Sequence, residues 1–182
     1  KDLCDLGFVL DEGVDFVALS FVGSSDDIES AQTKMREIIG DGARLPQIVA
    51  KIERKEAIKN LSAIIKATDA VMVARGDLGI EMPESEVTIL QKHIIAESLK
   101  AAKPVIVATQ MMESMVDSPI PTRAEVIDVA TAVAAGTDAI MLSAETATGN
   151  FPVQAVIAMD RIARAAEQEI EAPAQHRHRL SK

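Results

Sequence analysis

Gln47-Ile-Val-Ala-Lys-Ile-Glu53 is an apolar run that closes on two opposite charges. Side chains alternate across a strand, so Val49, Lys51 and Glu53 share one face while Ile48, Ala50 and Ile52 share the other. Charge gathered at the carboxyl end of an otherwise apolar strand points to a site. The arrangement recurs along the chain: Asp69-Ala-Val-Met-Val-Ala-Arg75 runs into Gly76-Asp77, and Pro104-Val-Ile-Val-Ala-Thr109 runs into Gln110.

Outward from these runs, strand and helix alternate. Asp15 to Val22 is a short apolar run ending in Ser20, and Ala139 to Ser143 reads as a fifth strand. Leu3, Leu6, Val9 and Leu10 fall at helical spacing, with Gly13 as the C-cap. Ser24 or Ser25 caps a helix carrying Ile28, Ala31, Met35 and Ile38. Further helices carry Ile58, Leu61, Ile64 and Ile65; then, after a loop containing Pro83, Ile89, Ile94, Ile95 and Leu99; then Val126, Val129 and Val133, ended by Gly136. Pro152 to Ile170 is the last, with Pro152 in its first turn. Continuous apolar strands separated by helices, at spacings of about 25 to 35 residues, predict parallel strands covered by helices.

A complete (β/α)8 barrel takes about 250 residues and eight units. Five units therefore predict either a doubly wound open sheet or part of a TIM barrel. The chain begins inside a helix with no strand before it, and polar groups stand at the ends of all five strands. An open sheet concentrates its ligand at one switch point, so the ring of polar groups favours the partial barrel.

Composition bounds the chemistry. With 182 residues and 48% apolar content, the chain has material for one domain with a sizeable core. A formal charge of -9, without a dense Lys/Arg block, speaks against a nucleic-acid partner. Phosphate is then expected to bind locally, through a metal. Cys4 is the only cysteine, which leans towards a reducing compartment, and its helical setting without a nearby histidine argues against a nucleophile. No apolar stretch reaches the roughly 18 residues of a spanning helix, and no signal peptide is visible, so a cytoplasmic protein with no membrane partner is expected. Trp and Tyr are absent, so the core is aliphatic with methionine and a few phenylalanines.

At the strand ends, Glu53 and Asp77 are hard oxygen donors suited to Mg2+ or Mn2+ held by few carboxylates. Each has a structural alternative: an ion pair with Lys51 or Arg54 for Glu53, and a turn position for Asp77. Lys51 is placed to offset charge on a phosphoryl group or enolate. A Schiff-base role would need a depressed pKa, and neighbouring carboxylates push the other way. Gly76 and Gly79 let backbone N–H groups approach an anion. Thr109 offers a hydroxyl at the next strand end, and Ser143 with Glu145 a polar pair at the last, helix capping being their alternative. Met111, Met112 and Met115 read as core.

Ala50-Lys-Ile-Glu53, Met72-Val-Ala-Arg-Gly-Asp-Leu-Gly79, Pro104-Val-Ile-Val-Ala-Thr-Gln-Met111, Pro121-Thr-Arg-Ala-Glu125 and Met141-Leu-Ser-Ala-Glu-Thr146 together closely resemble the pyruvate kinase family. They do so in order and with matching spacing from about Asp2 to Glu169. The resemblance implies that the five strands are the fourth to eighth of the catalytic barrel, with residues 1–171 its C-terminal part and 172–182 a tail or linker. It implies glycolytic phosphoryl transfer from phosphoenolpyruvate to ADP, giving pyruvate and ATP, with Mg2+ or Mn2+, K+ bound outside this region and a homotetramer at full length. Lys51 corresponds to the lysine that stabilises the transferring phosphoryl group and the enolate. Glu53 and Asp77 correspond to the metal ligands, the Gly76 and Asp77 amides to those that hold the substrate carboxylate, and Thr109 to the threonine beside them. Ser143 and Glu145 resemble a pair implicated in protonating the enolate.

The chain departs from the family pattern at Ala144, where glycine is usual, at Gly23, where arginine usually follows Ser-Phe-Val, and at Arg54-Lys55-Glu56, where proline often begins the helix. Alanine tolerates a positive φ poorly, so Ala144 bears on the turn around Ser143. In the family the monovalent-cation site, much of the ADP site and a phosphate-binding arginine lie outside this region, so the isolated chain is expected to be inactive. Two other readings are a magnesium-dependent lyase or aldolase of the phosphoenolpyruvate/pyruvate barrel group, and a non-catalytic assembly partner. His176 and His178 read as part of a solvated basic tail rather than a metal pair.

Overall fold

The computed structural model describes residues 2–40 and 42–171. The expectations for 172–182, including His176 and His178, lie outside them. In chain order the elements are α1 (Asp2–Asp11), β1 (Phe16–Leu19), α2 (Ser25–Ile39), β2 (Gln47–Ile52), α3 (Lys55–Lys59), α4 (Leu61–Ala67), β3 (Ala70–Ala74), α5 (Arg75–Glu81), α6 (Glu84–Lys100), β4 (Val105–Ala108), a 3-10 turn (Glu113–Val116), α7 (Arg123–Ala134), β5 (Ala139–Met141), α8 (Ala144–Ala147) and α9 (Pro152–Glu171). The class is α/β, five parallel strands with surrounding helices, as the alternation predicts. The chain divides into two compact units, Lys1–Val107 and Ala108–Lys182.

In the first unit the strands lie side by side in chain order, β1-β2-β3-β4. A doubly wound sheet reverses its order at a switch point; an unbroken order is what a barrel requires. Residues 70 to 74 of β3 are all buried, the signature of a strand covered on both faces. Burying each of its valines contributes roughly 1.5–3 kcal/mol. Leu61, Ile64 and Ile65 of α4 and Ile94 and Ile95 of α6 complete that core.

The strand starts are pinned by side chains. Asp69 Oδ2 accepts from Ile48 N at 2.8 Å while Asp69 N donates to Ile48 O at 3.1 Å. Thr68 Oγ1 donates to Ile48 O at 2.9 Å, and Lys103 Nζ donates to Thr68 O at 2.6 Å. These contacts hold the register Lys51↔Met72 and Ile52↔Val73. A one-residue slip would turn Lys51 to the opposite face. Continued one step, the register brings Glu53 level with Ala74, the residue before Arg75-Gly76-Asp77.

Three local expectations differ from the structure. The helix expected around Ile58 to Ile65 is split at Asn60, whose Nδ2 donates to Gly23 O at 2.7 Å. The stretch after β3, expected as a loop, is the short helix α5, because fully buried Leu78 anchors it despite two glycines. Pro83 then separates α5 from α6. The fifth strand stops at Met141, and Ser143 is the N-cap of α8. The cap of α2 is Ser24, one of the two serines expected there, with Asp27 Oδ2 accepting from Gly23 N at 2.8 Å and Ser24 N at 3.0 Å.

In the second unit, α7 packs on α9, and the 3-10 turn packs on α8 and α9. Met111, Met112 and Met115 are fully buried, as expected, with Val129, Ala132 and Ala155. Helix α7 begins at a capping box in which Glu125 Oε2 accepts from Thr122 N at 2.7 Å and Thr122 Oγ1 at 2.8 Å. The same carboxylate accepts from Ser114 N at 2.8 Å and from Ser114 Oγ, tying the 3-10 turn to the helix start. Gly149 follows α8 where a Cβ would stand 2.5 Å from the Glu145 carbonyl oxygen, so only glycine fits. Ala144 does not adopt a positive φ, which removes the strain that its replacement of glycine raised.

Candidate active site

The predicted site residues fall in both units. In the first, Lys51 is the penultimate residue of β2 and Glu53 comes just after the strand ends. Lys51 Nζ lies 2.6 Å from Glu53 Oε1, within ion-pair distance but off the direction of a hydrogen bond, so Oε1 is buried with no donor aligned to it. The Glu53 side chain is fully buried and that of Lys51 is 23% exposed. The structural alternative for Glu53, an ion pair with Lys51, is thus formed.

Two residues that sequence reasoning left out complete this cluster. Ser20, just past β1, accepts from Lys51 Nζ at 2.8 Å through Oγ. Phe21 N donates to Glu53 Oε2 at 2.6 Å, and Phe21 holds a φ of 57° to do so. Positive φ is rare for a bulky residue and costs of order 1–3 kcal/mol, a strain characteristic of functional sites. The Phe21 ring lies under the Arg54 guanidinium at 5.3 Å, a cation–π contact that arises at a position where this chain departs from the family pattern. The only sequence signal for Ser20 was its place at the end of an apolar run; backbone strain at Phe21 had none.

Asp77 sits in the first turn of α5, half-buried. Arg75 before it is buried, and Gly76 lies between them. Lys55 N donates to Glu81 Oε2 at 2.9 Å, which ties the far end of α5 to the start of α3. Among the described residues no group of three His, Cys, Asp or Glu converges on a point. The candidate donor set is two carboxylates, Glu53 and Asp77. That set fits Mg2+, which keeps several waters and takes substrate oxygens, and does not fit a closed structural zinc site.

In the second unit, Thr109 and Gln110 follow β4 with φ of 66° and 53°. A β-branched residue in this region is an outlier, and Thr109 Oγ1 donates to Ala108 O at 2.6 Å. Ser143 and Glu145 are brought together: Glu145, fully buried, accepts from Ser143 N at 2.8 Å through Oε2 and from Met112 N at 3.1 Å through Oε1. The carboxylate therefore fixes the backbone on both sides of it, and Ser143 stands at the N-cap position of α8 without its side chain making a cap hydrogen bond.

The family profile described as "Pyruvate kinase, barrel domain" matches residues 1–156. The chain belongs to the pyruvate kinase barrel-domain family. Pyruvate kinase 2 of Synechocystis sp. is 53% identical over 175 residues, covering 96% of this chain and 29% of that protein. A pyruvate kinase of Mycobacterium tuberculosis is 54% identical over 168 residues, covering 92% of this chain and 35% of its own length. Among solved structures, a pyruvate kinase from Cryptosporidium parvum superimposes with a TM-score of 0.89 at 43% identity, covering 93% of this chain and 35% of that one. The chain thus spans about a third of the length of the pyruvate kinases it matches. The predicted partial barrel is the correct architecture, and the open-sheet alternative is set aside.

Proposed function

We propose that this chain carries the metal-binding and enolate-stabilising part of a pyruvate kinase, serving magnesium-dependent transfer of the phosphoryl group of phosphoenolpyruvate to ADP in the cytoplasm. The observation that carries the reading is the Lys51–Glu53 pair, a partly exposed ammonium fixed by Ser20 beside a buried carboxylate with one undonated oxygen. Glu53 and Asp77 would hold Mg2+ or Mn2+. When bound, the ion supplies charge neutralisation to the phosphoryl oxygens and orients the substrate.

The remaining work belongs to the chain's own groups. Ser20 orients the Lys51 ammonium, which offsets negative charge as it develops on the transferring group and on the enolate oxygen. The ammonium is held between the Ser20 hydroxyl and the Glu53 carboxylate, a setting that suits electrostatic stabilisation. The Gly76 and Asp77 amides bind the substrate carboxylate, with the Thr109 hydroxyl as a further contact. Ser143, held by Glu145, serves proton delivery to the enolate carbon. K+ binding and a homotetrameric assembly belong to the same reading at full length.

The test is an ADP-dependent coupled assay on the natural protein at its full length. Lys51→Met is expected to abolish phosphoryl transfer while Mn2+ still binds, because the substitution removes the ammonium and leaves both carboxylates. Near-normal turnover in that variant overturns the assignment.

A further inference from the structure

Helix α6 keeps a polar side chain where an apolar one would cost less. Gln91 is 1% exposed and shares its buried face with Ile94, Ile95 and Ser98, at helical spacing. Its Oε1 accepts from Arg75 Nη1 at 3.4 Å, and its Nε2 has no hydrogen-bond partner among the described residues. Burying an amide costs free energy unless both of its ends are paired. Arg75 is itself only 6% exposed, and it stands at the first position of α5, two residues before Asp77. The side-chain hydrogen bond of Gln91 thus goes to a residue at the start of the helical turn that presents a candidate metal ligand.

We infer that Gln91 is a positioning residue for Asp77: by orienting the Arg75 guanidinium it fixes the turn between β3 and α5, and through that turn the metal affinity of the site, without touching the metal. Arginine presents donors in a rigid planar fork, so an acceptor on one of its nitrogens, together with the other interactions that Arg75 makes, restrains the side chain. Groups that orient metal ligands from behind set affinity nearly as strongly as the ligands do. A neutral amide accepts this hydrogen bond without adding negative charge to the neighbourhood of Asp77. The inference rests on the reading of Asp77 as a divalent-cation ligand.

The test uses the full-length protein with Gln91→Met, which keeps length and volume but has no acceptor oxygen, and Gln91→Glu, which restores one. Mn2+ affinity is read by water-proton relaxation without substrates, local order by hydrogen exchange at the Gly76 to Leu78 amides without metal, and global stability by thermal unfolding. For Gln91→Met we expect Mn2+ affinity about 10- to 100-fold weaker, faster exchange at those amides and an unchanged or higher Tm. Gln91→Glu is expected to recover most of the affinity. Unchanged affinity and exchange in Gln91→Met overturn the inference, since the side chain then only fills space. Weaker binding with a fall in Tm and no recovery by Gln91→Glu also overturns it. A wild-type protein that binds no Mn2+ defeats the metal reading first, and the role of Gln91 falls with it.

Discussion

Single residues carry the tension between stability and use most visibly at Thr109 and Phe21. Both hold positive φ without being glycine, Thr109 at 66° and Phe21 at 57°. Phe21 has a plain structural reason, since its amide reaches Glu53 Oε2. Thr109→Gly is expected to raise the stability of the full-length protein by about 1 kcal/mol, through relief of backbone strain, while lowering phosphoryl transfer. Urea unfolding and the coupled assay check the two halves. A lower midpoint in the variant would mean that the hydroxyl contributes more than the strain removes. At this scale the candidate charged and hydroxylic groups were legible in the sequence as polar positions at the ends of apolar runs, namely Lys51, Glu53, Asp77, Thr109 and Ser143. The sequence could not show Ser20 against Lys51 or Gln91 against Arg75, since those partners meet only through strand neighbours and helix packing.

Elements were legible where a periodic apolar face met a strong terminator, as at Gly13, Gly136 and Pro83. They were misread where tertiary contacts override propensity: α5 forms around two glycines because Leu78 is buried, and α3 and α4 part where Asn60 turns to bond Gly23. Glu125 shows how one side chain can define an element boundary. Partial burial pushes its carboxyl up, but hydrogen bonds from Ser114 and Thr122 overcome that and hold it below the ordinary 4.5. A depressed carboxyl contributes stability that is present above its unfolded value and is lost as pH falls through the folded value. Glu125→Gln is therefore expected to cost about 1–2 kcal/mol near neutrality. The gap between wild type and variant should begin to close as pH drops below about 4.5 and vanish only below the depressed folded value, where both side chains are neutral. Denaturant unfolding at several pH values measures that gap, and a gap independent of pH would show that the charge is not what holds the turn to α7.

For the molecule as a whole, apolar surface beyond the two cores has its own consequence. Val153, Val156 and Ile157 are exposed on α9 at spacings that place them on one side of the helix. The isolated chain is expected to bind an apolar dye, and Val156→Lys with Ile157→Lys to reduce that binding without lowering Tm; equal fluorescence in the variant would place the dye elsewhere. The fold class was readable because five apolar runs at regular spacing admit few architectures, whereas the division into two compact units leaves no mark in periodicity. The second unit's core also contains a built-in clock. Met111, Met112 and Met115 are wholly shielded, while Met82 and Met141 are half-exposed. Peroxide would convert the latter two to sulfoxides in the native protein, but would reach the shielded three only when that core opens, so the lag between the two groups in a mass spectrum times the opening directly.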